Sequence, residues 1–454
     1  MLPEAFIRGL SEELGPDRAR TVLDALSGEP SVSIRLNPAK LTACPFPDAE
    51  RIPWSPYGYL LKERPNFTLD PLFHAGCYYV QDSSAMFVGG LFRSVLDALS
   101  GEPSVSVRLN PAKLTACPFP DAERVPWSPY GYLLKERPNF TLDPLFHAGC
   151  YYVQDSSAMF VGALFRRALD GFGPGVTVLD LCAAPGGKTT DLAASLRERF
   201  GDRFSLLANE VMRNRFGVLR SNVRTWGDPR VGVVSRDPSA FSGKPVFDIV
   251  VADVPCSGEG MFRKDEKAVE DWSPETVAFC AARSRRILSD VWSALKPGGI
   301  LLYSTCTFNR QENDGTVAWI AAELGADILD CGDFPPVTRT EHGYALLPGY
   351  VPGEGQYAAV LRKHGEPESI RTADIFSLFK ADLPVPPPDP YPCFDLDRET
   401  ALQYLHGDAL RIPDAPLGLL TLTYQGHPLG PGKNLGSRCN NLYPKDRRIR
   451  MDIR

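Results

Sequence analysis

At 454 residues, with 43% hydrophobic and 23% charged residues, the chain has the makeup of a globular protein of about three domains, which speaks against widespread disorder. No apolar run reaches the ~18 residues of a membrane helix, and Glu4, Glu12 and Glu13 break any secretory signal, so the expectation is a cytoplasmic protein whose 11 cysteines are thiols. A net charge of −6 argues against indiscriminate coating of nucleic acid but permits a local basic patch.

Leu2, Phe6, Leu10 and Leu14 recur at helical spacing and predict an N-terminal helix. The segment Val22–Arg93 then returns as Val95–Arg166, with only Ile34 to Val107, Ile52 to Val125 and Gly90 to Ala163 changed. Two copies at this period suit a tandem duplication rather than a solenoid. Within each copy, Ser31–Leu36 and Ser104–Leu109 alternate like strands and lead into Pro- and Gly-containing loops. Only one copy is expected to dock on the downstream part of the chain, and chain continuity favours the second. The other should then expose Phe73, Tyr78 and Met86.

From Gly175 the pattern becomes strands alternating with helices. The strands are Val176–Leu181, Phe204–Ala208, Val231–Val234, Phe247–Ala252 and Ile300–Ser304. A long helix starts at Ser273-Pro274-Glu275, with Ser as N-cap and Pro in the first turn. Its apolar face is Val277, Ala281, Leu288, Val291 and Leu295, and Gly298-Gly299 stops it. This predicts a doubly wound α/β domain with a mostly parallel sheet. The Pro-rich stretch from Leu383 to Pro392 reads as a semi-rigid linker. Beyond it comes a small module whose tail, Lys433 to Arg454, holds seven Lys/Arg against two Asp and is a candidate phosphate contact. The domain boundaries are then 1–94 for the N-terminal helix and first copy, 95–166 for the second copy, 167–365 for the α/β domain, 366–392 for the linker and 393–454 for the C-terminal module.

The chemistry concentrates after the strands. The first runs into Cys182-Ala183-Ala184-Pro185-Gly186-Gly187-Lys188, small residues that let a ligand approach the backbone at a helix N-terminus. Glu210 ends the second strand, where an acid grips ribose hydroxyls in dinucleotide folds; Asp237 and Asp253 follow the third and fourth. In such sheets, ligands sit beyond the carboxyl ends of the strands. Cys256 and Cys306 should face the same cleft, and a thiolate is the strongest side-chain nucleophile near neutral pH. No metal-site spacing and no phosphate loop of the triphosphatase kind is present.

The ordered motifs Asp180 to Thr189, Asp253-Val254-Pro255-Cys256-Ser257-Gly258-Glu259-Gly260 and Tyr303-Ser304-Thr305-Cys306-Thr307 resemble the Nop/Sun family of RNA 5-methylcytosine methyltransferases. Within it the chain is most similar to the RsmF type, which acts on cytosine in small-subunit ribosomal RNA. Gly353-Glu354-Gly355-Gln356-Tyr357 and Gly426 to Lys433 support this. The family carries the N-terminal segment once, so the second copy is a departure. The resemblance implies a Rossmann-like S-adenosylmethionine-dependent domain, an RNA-binding N-terminal segment and a PUA-like C-terminal module. It places the cofactor along Cys182–Lys188, with Glu210 on the ribose, Asp237 near the adenine and Asp253 at the junction with the base. It makes Cys306 the nucleophile, has Cys256 assist release, and has Asp253 bond the cytosine ring. The implied partner is 16S ribosomal RNA, met by a monomer. Three alternatives stay open: transfer RNA as substrate, Cys256 as nucleophile, and a catalytically silent ribosome-assembly factor.

Overall fold

The computed structural model describes Arg20 and residues 32–53, 55, 57–81, 86, 105–262, 264–366, 374–386 and 390–453. The predicted N-terminal helix lies outside them. The chain divides into two compact units, Met1–Ser100 and Gly101–Arg454.

In the first unit, β1 (Val32–Leu36), β2 (Glu50–Arg51), β3 (Gly58–Leu61) and β4 (Tyr78–Val80) form an antiparallel sheet in the order β2-β3-β1-β4. Ile34, Leu36, Leu61, Phe67, Cys77 and Tyr78 make its small core. Tyr78 and Met86 are therefore internal to this copy, and Phe73 is half-buried, contrary to the expectation that they face solvent. Leu69 (78%) and Tyr79 (63%) are exposed instead. A single copy buries more of its own aromatics than the pattern suggests, because they close on its own sheet.

The second copy repeats this fold with β5 (Val105–Leu109), β6 (Glu123–Arg124), β7 (Gly131–Leu134) and β8 (Tyr151–Val153). Here the outer residues are engaged. Arg108, fully buried, donates to Gln154 Oε1 (2.7 Å), the Gly187 carbonyl (3.0 Å) and Thr190 Oγ1 (2.5 Å), and lies over the Trp226 ring at 4.7 Å. Lys113 Nζ donates to the carbonyls of Ala148 and Thr225. The equivalent Arg35 of the first copy is exposed.

Helix α1 (Phe160–Ala168) leads from the second copy into the α/β domain. There β9 (Val176–Asp180), α2 (Gly187–Phe200), β10 (Phe204–Asn209), α3 (Arg213–Trp226), β11 (Val231–Val234), β12 (Phe247–Asp253), α4 (Pro274–Trp292) and β13 (Leu295–Thr305) alternate. Pairings β11-β10-β9-β12-β13 are parallel, as the apolar runs predict. Then β14 (Ala326–Leu329), β15 (Thr338–Arg339), β16 (Tyr344–Leu346) and β17 (Gln356–Lys363) extend the sheet, with β17 antiparallel to β13. Helices pack on both faces: Leu192 and Leu196 of α2 lie in one core cluster, Leu288 and Val291 of α4 in the other.

The Ser273 hydroxyl caps α4 by accepting from the Thr276 amide at 3.1 Å. The helix ends at Trp292, earlier than the glycine pair implied, and Leu295 and Gly298-Gly299 belong to β13. Leu295 continues the helical spacing by coincidence, since its burial comes from pairing with Phe247.

Within 366–392, residues Ile375–Phe379 form a short helix, and the Phe379 ring stacks on Phe247 at 5.7 Å. In the C-terminal module, β18 (Cys393–Leu396), β19 (Gly418–Tyr424), β20 (His427–Asn434) and β21 (Cys439–Asn441) form a sheet with α5 (Arg398–His406) against it. Its Leu402, Leu405, Leu420 and Leu422 share one core cluster with Val107, Leu109 and Tyr151 of the second copy. Among the described residues, no helix is long and apolar enough to cross a membrane.

Candidate active site

Parallel pairing puts the carboxyl ends of β9, β10, β11, β12 and β13 along one edge, and the predicted residues gather there. After β9 the chain turns through Cys182–Gly186 into α2. Gly186 caps that helix with φ +112°, and a Cβ there would lie 3.3 Å from Leu219 Cδ1, so the turn needs glycine. The Ala183 amide donates to the Asn209 carbonyl (2.8 Å), Arg215 to the Ala184 carbonyl (2.6 Å) and Asn222 to the Pro185 carbonyl (2.8 Å). The loop is thus tied to β10 and α3. Burial pushes the Cys182 thiol upward, so it stays neutral.

Glu210 follows β10. Its Oε1 accepts from the Met212 amide at 2.8 Å, while Oε2 is buried without a hydrogen bond, 3.4 Å from Arg215. Asp180, at the end of β9, takes the Thr189 hydroxyl on Oδ2 (2.6 Å), and its Oδ1 is likewise without a hydrogen bond. Burial raises the Asp180 carboxyl to about 7. Asp237 is exposed and accepts from the Ser239 amide and hydroxyl; those bonds hold it below the usual carboxylate range. It caps the turn Pro238–Phe241 next to the Glu210 strand end, a use that its position in the sequence does not reveal.

Asp253 is the last residue of β12, opposite Ser304 of β13. Lys188 Nζ sits 2.8 Å from its Oδ2, and Oδ1 accepts from Ser304 Oγ (2.7 Å) and Gln356 Nε2 (3.3 Å). The motif places Lys188 in the cofactor loop, yet its ammonium is directed to Asp253. Burial pulls the Lys188 ammonium down, but the Asp253 charge outweighs it and the net shift is upward.

Cys256 and Cys306 come together, Sγ to Sγ at 3.4 Å. Donation from the Cys256 thiol draws Cys306 below the ordinary thiol range, while the same bond and burial push Cys256 well above it. The pair is therefore asymmetric, with Cys306 the more readily ionised of the two. The loops carrying the two are locked by groups that sequence reasoning missed. Fully buried Glu312 accepts from the Ser257 amide (3.0 Å), the Ser257 hydroxyl and Asn309 Nδ2 (2.7 Å). Glu259 accepts from the amides of Phe308 (2.6 Å) and Asn309 (3.0 Å). The Gly260 amide donates to the Cys306 carbonyl (2.8 Å). Only the polar run after Cys306 hinted at this, and nothing in it named a partner.

The edge fits S-adenosylmethionine. Two buried acceptors, Asp180 Oδ1 and Glu210 Oε2, make no hydrogen bond within the protein and would suit ribose hydroxyls and an ammonium, beside a tight glycine turn at a helix N-terminus. Among the described residues, no cluster suits a metal ion.

Comparison with known proteins agrees with this geometry. A family profile described as 16S rRNA methyltransferase RsmB/F matches residues 173–362, and the RsmF PUA domain matches 391–449. The N-terminal domain of RsmF matches twice, over 2–83 and 86–156, as the repeat requires. Ribosomal RNA small subunit methyltransferase F from Pectobacterium carotovorum is 34% identical over 67% of this chain and 65% of its own. The protein of that name from an Escherichia coli O7:K1 strain is 36% identical over 57% of each chain. The chain spans about half to two thirds of the length of the curated relatives it matches. The crystal structure of PH0851 shares the fold, with a TM-score of 0.54 at 22% identity over 66% of this chain and 70% of that one. With the three domain profiles matched in order along a Rossmann-like methyltransferase fold and its flanking modules, the chain belongs to the RsmB/F family of 16S rRNA methyltransferases.

Proposed function

We propose that the protein methylates carbon-5 of one cytosine in 16S ribosomal RNA through a covalent bond from Cys306 to the base. What carries this reading is the pair of thiols 3.4 Å apart, Cys306 the more readily ionised, beside a carboxylate paired with lysine. Carbon-5 of cytosine is a weak nucleophile. Attack of the Cys306 thiolate on carbon-6 forms a C–S bond and moves the double-bond pair toward carbon-5, while N3 takes up a proton. Asp253, paired with Lys188, accepts a hydrogen bond from that N3–H. S-adenosylmethionine, when bound, supplies the sulfonium methyl that carbon-5 takes. N3 then gives back the proton it took up. The carbon-5 proton goes to solvent as the carbon-5–carbon-6 double bond re-forms, the C–S bond breaks, and Cys306 leaves as thiolate, stabilised by the Cys256 thiol.

Glu210 serves the ribose, Asp237 the adenine side, and Cys182–Lys188 the length of the cofactor. A base inside folded RNA is splayed out to enter such a cleft. The second copy and the C-terminal module, joined by one core, hold the RNA, and the protein works as a cytoplasmic monomer.

The test is methyl transfer from labelled S-adenosylmethionine to 16S rRNA, with bisulfite mapping of ribosomal RNA from a deletion strain. One 5-methylcytosine disappears from 16S rRNA on this account. Labelling of transfer RNA alone, or of no RNA, overturns it.

A further inference from the structure

Glu259 does more than tie loops. Besides the amides of Phe308 and Asn309, it accepts from Trp272 Nε1 at 3.0 Å. One carboxylate therefore fixes two aromatic residues beside the Cys306 loop. Phe308 stands two positions beyond Cys306, and its ring lies so close to Gly355 that a Cβ there would be 2.4 Å from it. Trp272 has its polar edge turned inward to Glu259 and meets Phe262 edge-on at 6.5 Å. Both stay partly open to solvent, Trp272 at 38% and Phe308 at 37%. Glu259 thus orients the Trp272 ring and anchors the backbone that carries the Phe308 ring.

Extruding a base costs its neighbours a stacking partner, and exposed aromatic rings at the mouth of a site can replace it. We propose that Trp272 and Phe308 form a stacking subsite for the nucleobases flanking the target cytosine, oriented by Glu259. The subsite reads bases by their flat faces and tolerates any sequence. This rests on the RNA-methylating reading above and adds a place for bases that are not themselves modified.

The test uses the full chain, a nonamer A4CA4, and the same nonamer made abasic on both sides of the cytosine, with affinity read by fluorescence anisotropy at low salt. The wild type should prefer the intact nonamer by about tenfold, within the range of one stacked base. Trp272→Ala and Phe308→Ala should each erase much of that preference, acting on the intact nonamer and sparing the abasic one. Trp272→Phe, which keeps a ring but loses the bond to Glu259, should retain most of it. S-adenosylmethionine affinity monitors folding and should not change. Equal binding of both nonamers by the wild type overturns the subsite, as does an alanine variant that weakens both nonamers equally. Failure of the methylation reading would show separately, as no methyl transfer to 16S rRNA by the wild type.

Discussion

The duplication offers an internally controlled perturbation, because Arg35 and Arg108 are the same residue in nearly the same sequence. Arg108→Met removes a buried guanidinium bonded to Gln154, Gly187 and Thr190, and it leaves Asp191 with Arg166 at 3.4 Å as its remaining ion pair. Breaking such a buried network costs about 3 kcal/mol, the low end of the range because that ion pair survives. The unit Gly101–Arg454 has roughly 350 residues, so its unfolding entropy of about 0.7 kcal/mol/K turns this into a fall of roughly 4 °C in melting temperature. Arg35 is exposed and belongs to the other unit, so Arg35→Met should cost no more than about 0.5 kcal/mol there and move the Gly101–Arg454 transition by less than about 1 °C. Differential scanning calorimetry of the two variants measures both, on the transition that S-adenosylmethionine stabilises. Equal shifts would refute the reasoning that Arg108 is held by packing of the second copy on the α/β domain, and a larger shift for Arg35→Met would reverse it.

Other expectations rest on the same contacts. Deleting Val22–Ser94 should keep methyl transfer and improve solubility, since it removes the exposed Leu69 and Tyr79; a folded deletion variant without activity would contradict this. Removing the tail after Leu435 would strip Cys439, Tyr443 and Ile449 from the module's core, so charge substitutions test the tail better. Gln at Arg438, Lys445 and Arg450, all exposed, should weaken RNA binding and flatten its salt dependence by up to ~0.9 per lost duplex phosphate contact, less on single strands; an unchanged slope makes them plain solvated charge. Asp180, raised from 3.8 to about 7, lends stability below about pH 4 that is lost as pH rises through 7. Asp180→Asn should therefore gain melting temperature over the wild type between pH 5 and pH 8, and a constant difference would show that its carboxyl is not perturbed.

The sheet was legible because each central strand is buried on both faces and reads as a short apolar run, as in β9 and β12. Legible for the same reason were the ends of those runs, where Asp253 and Cys306 stand. What escaped depends on contacts between distant segments. Ser304 and Gln356 meet on Asp253 only because β12, β13 and β17 lie side by side. Lys188 sits in a glycine-rich turn like any loop lysine, and its reach to Asp253 is set by where α2 begins. Sequence is nearly silent on the difference between the copies. Their contrast, Arg35 exposed and Arg108 buried, comes wholly from what the second copy packs against.

The central claim is that Cys306 carries the base while Cys256 serves its release. Mass spectrometry of the peptide trapped on 5-fluorocytosine-substituted 16S rRNA tests it most directly, because fluorine at carbon-5 blocks elimination and leaves the C–S bond in place. The account predicts the adduct on the peptide holding Cys306, its loss in Cys306→Ala with S-adenosylmethionine affinity kept within a few-fold, and an accumulating adduct on ordinary RNA in Cys256→Ala. An adduct on Cys256 that persists in Cys306→Ala would contradict it.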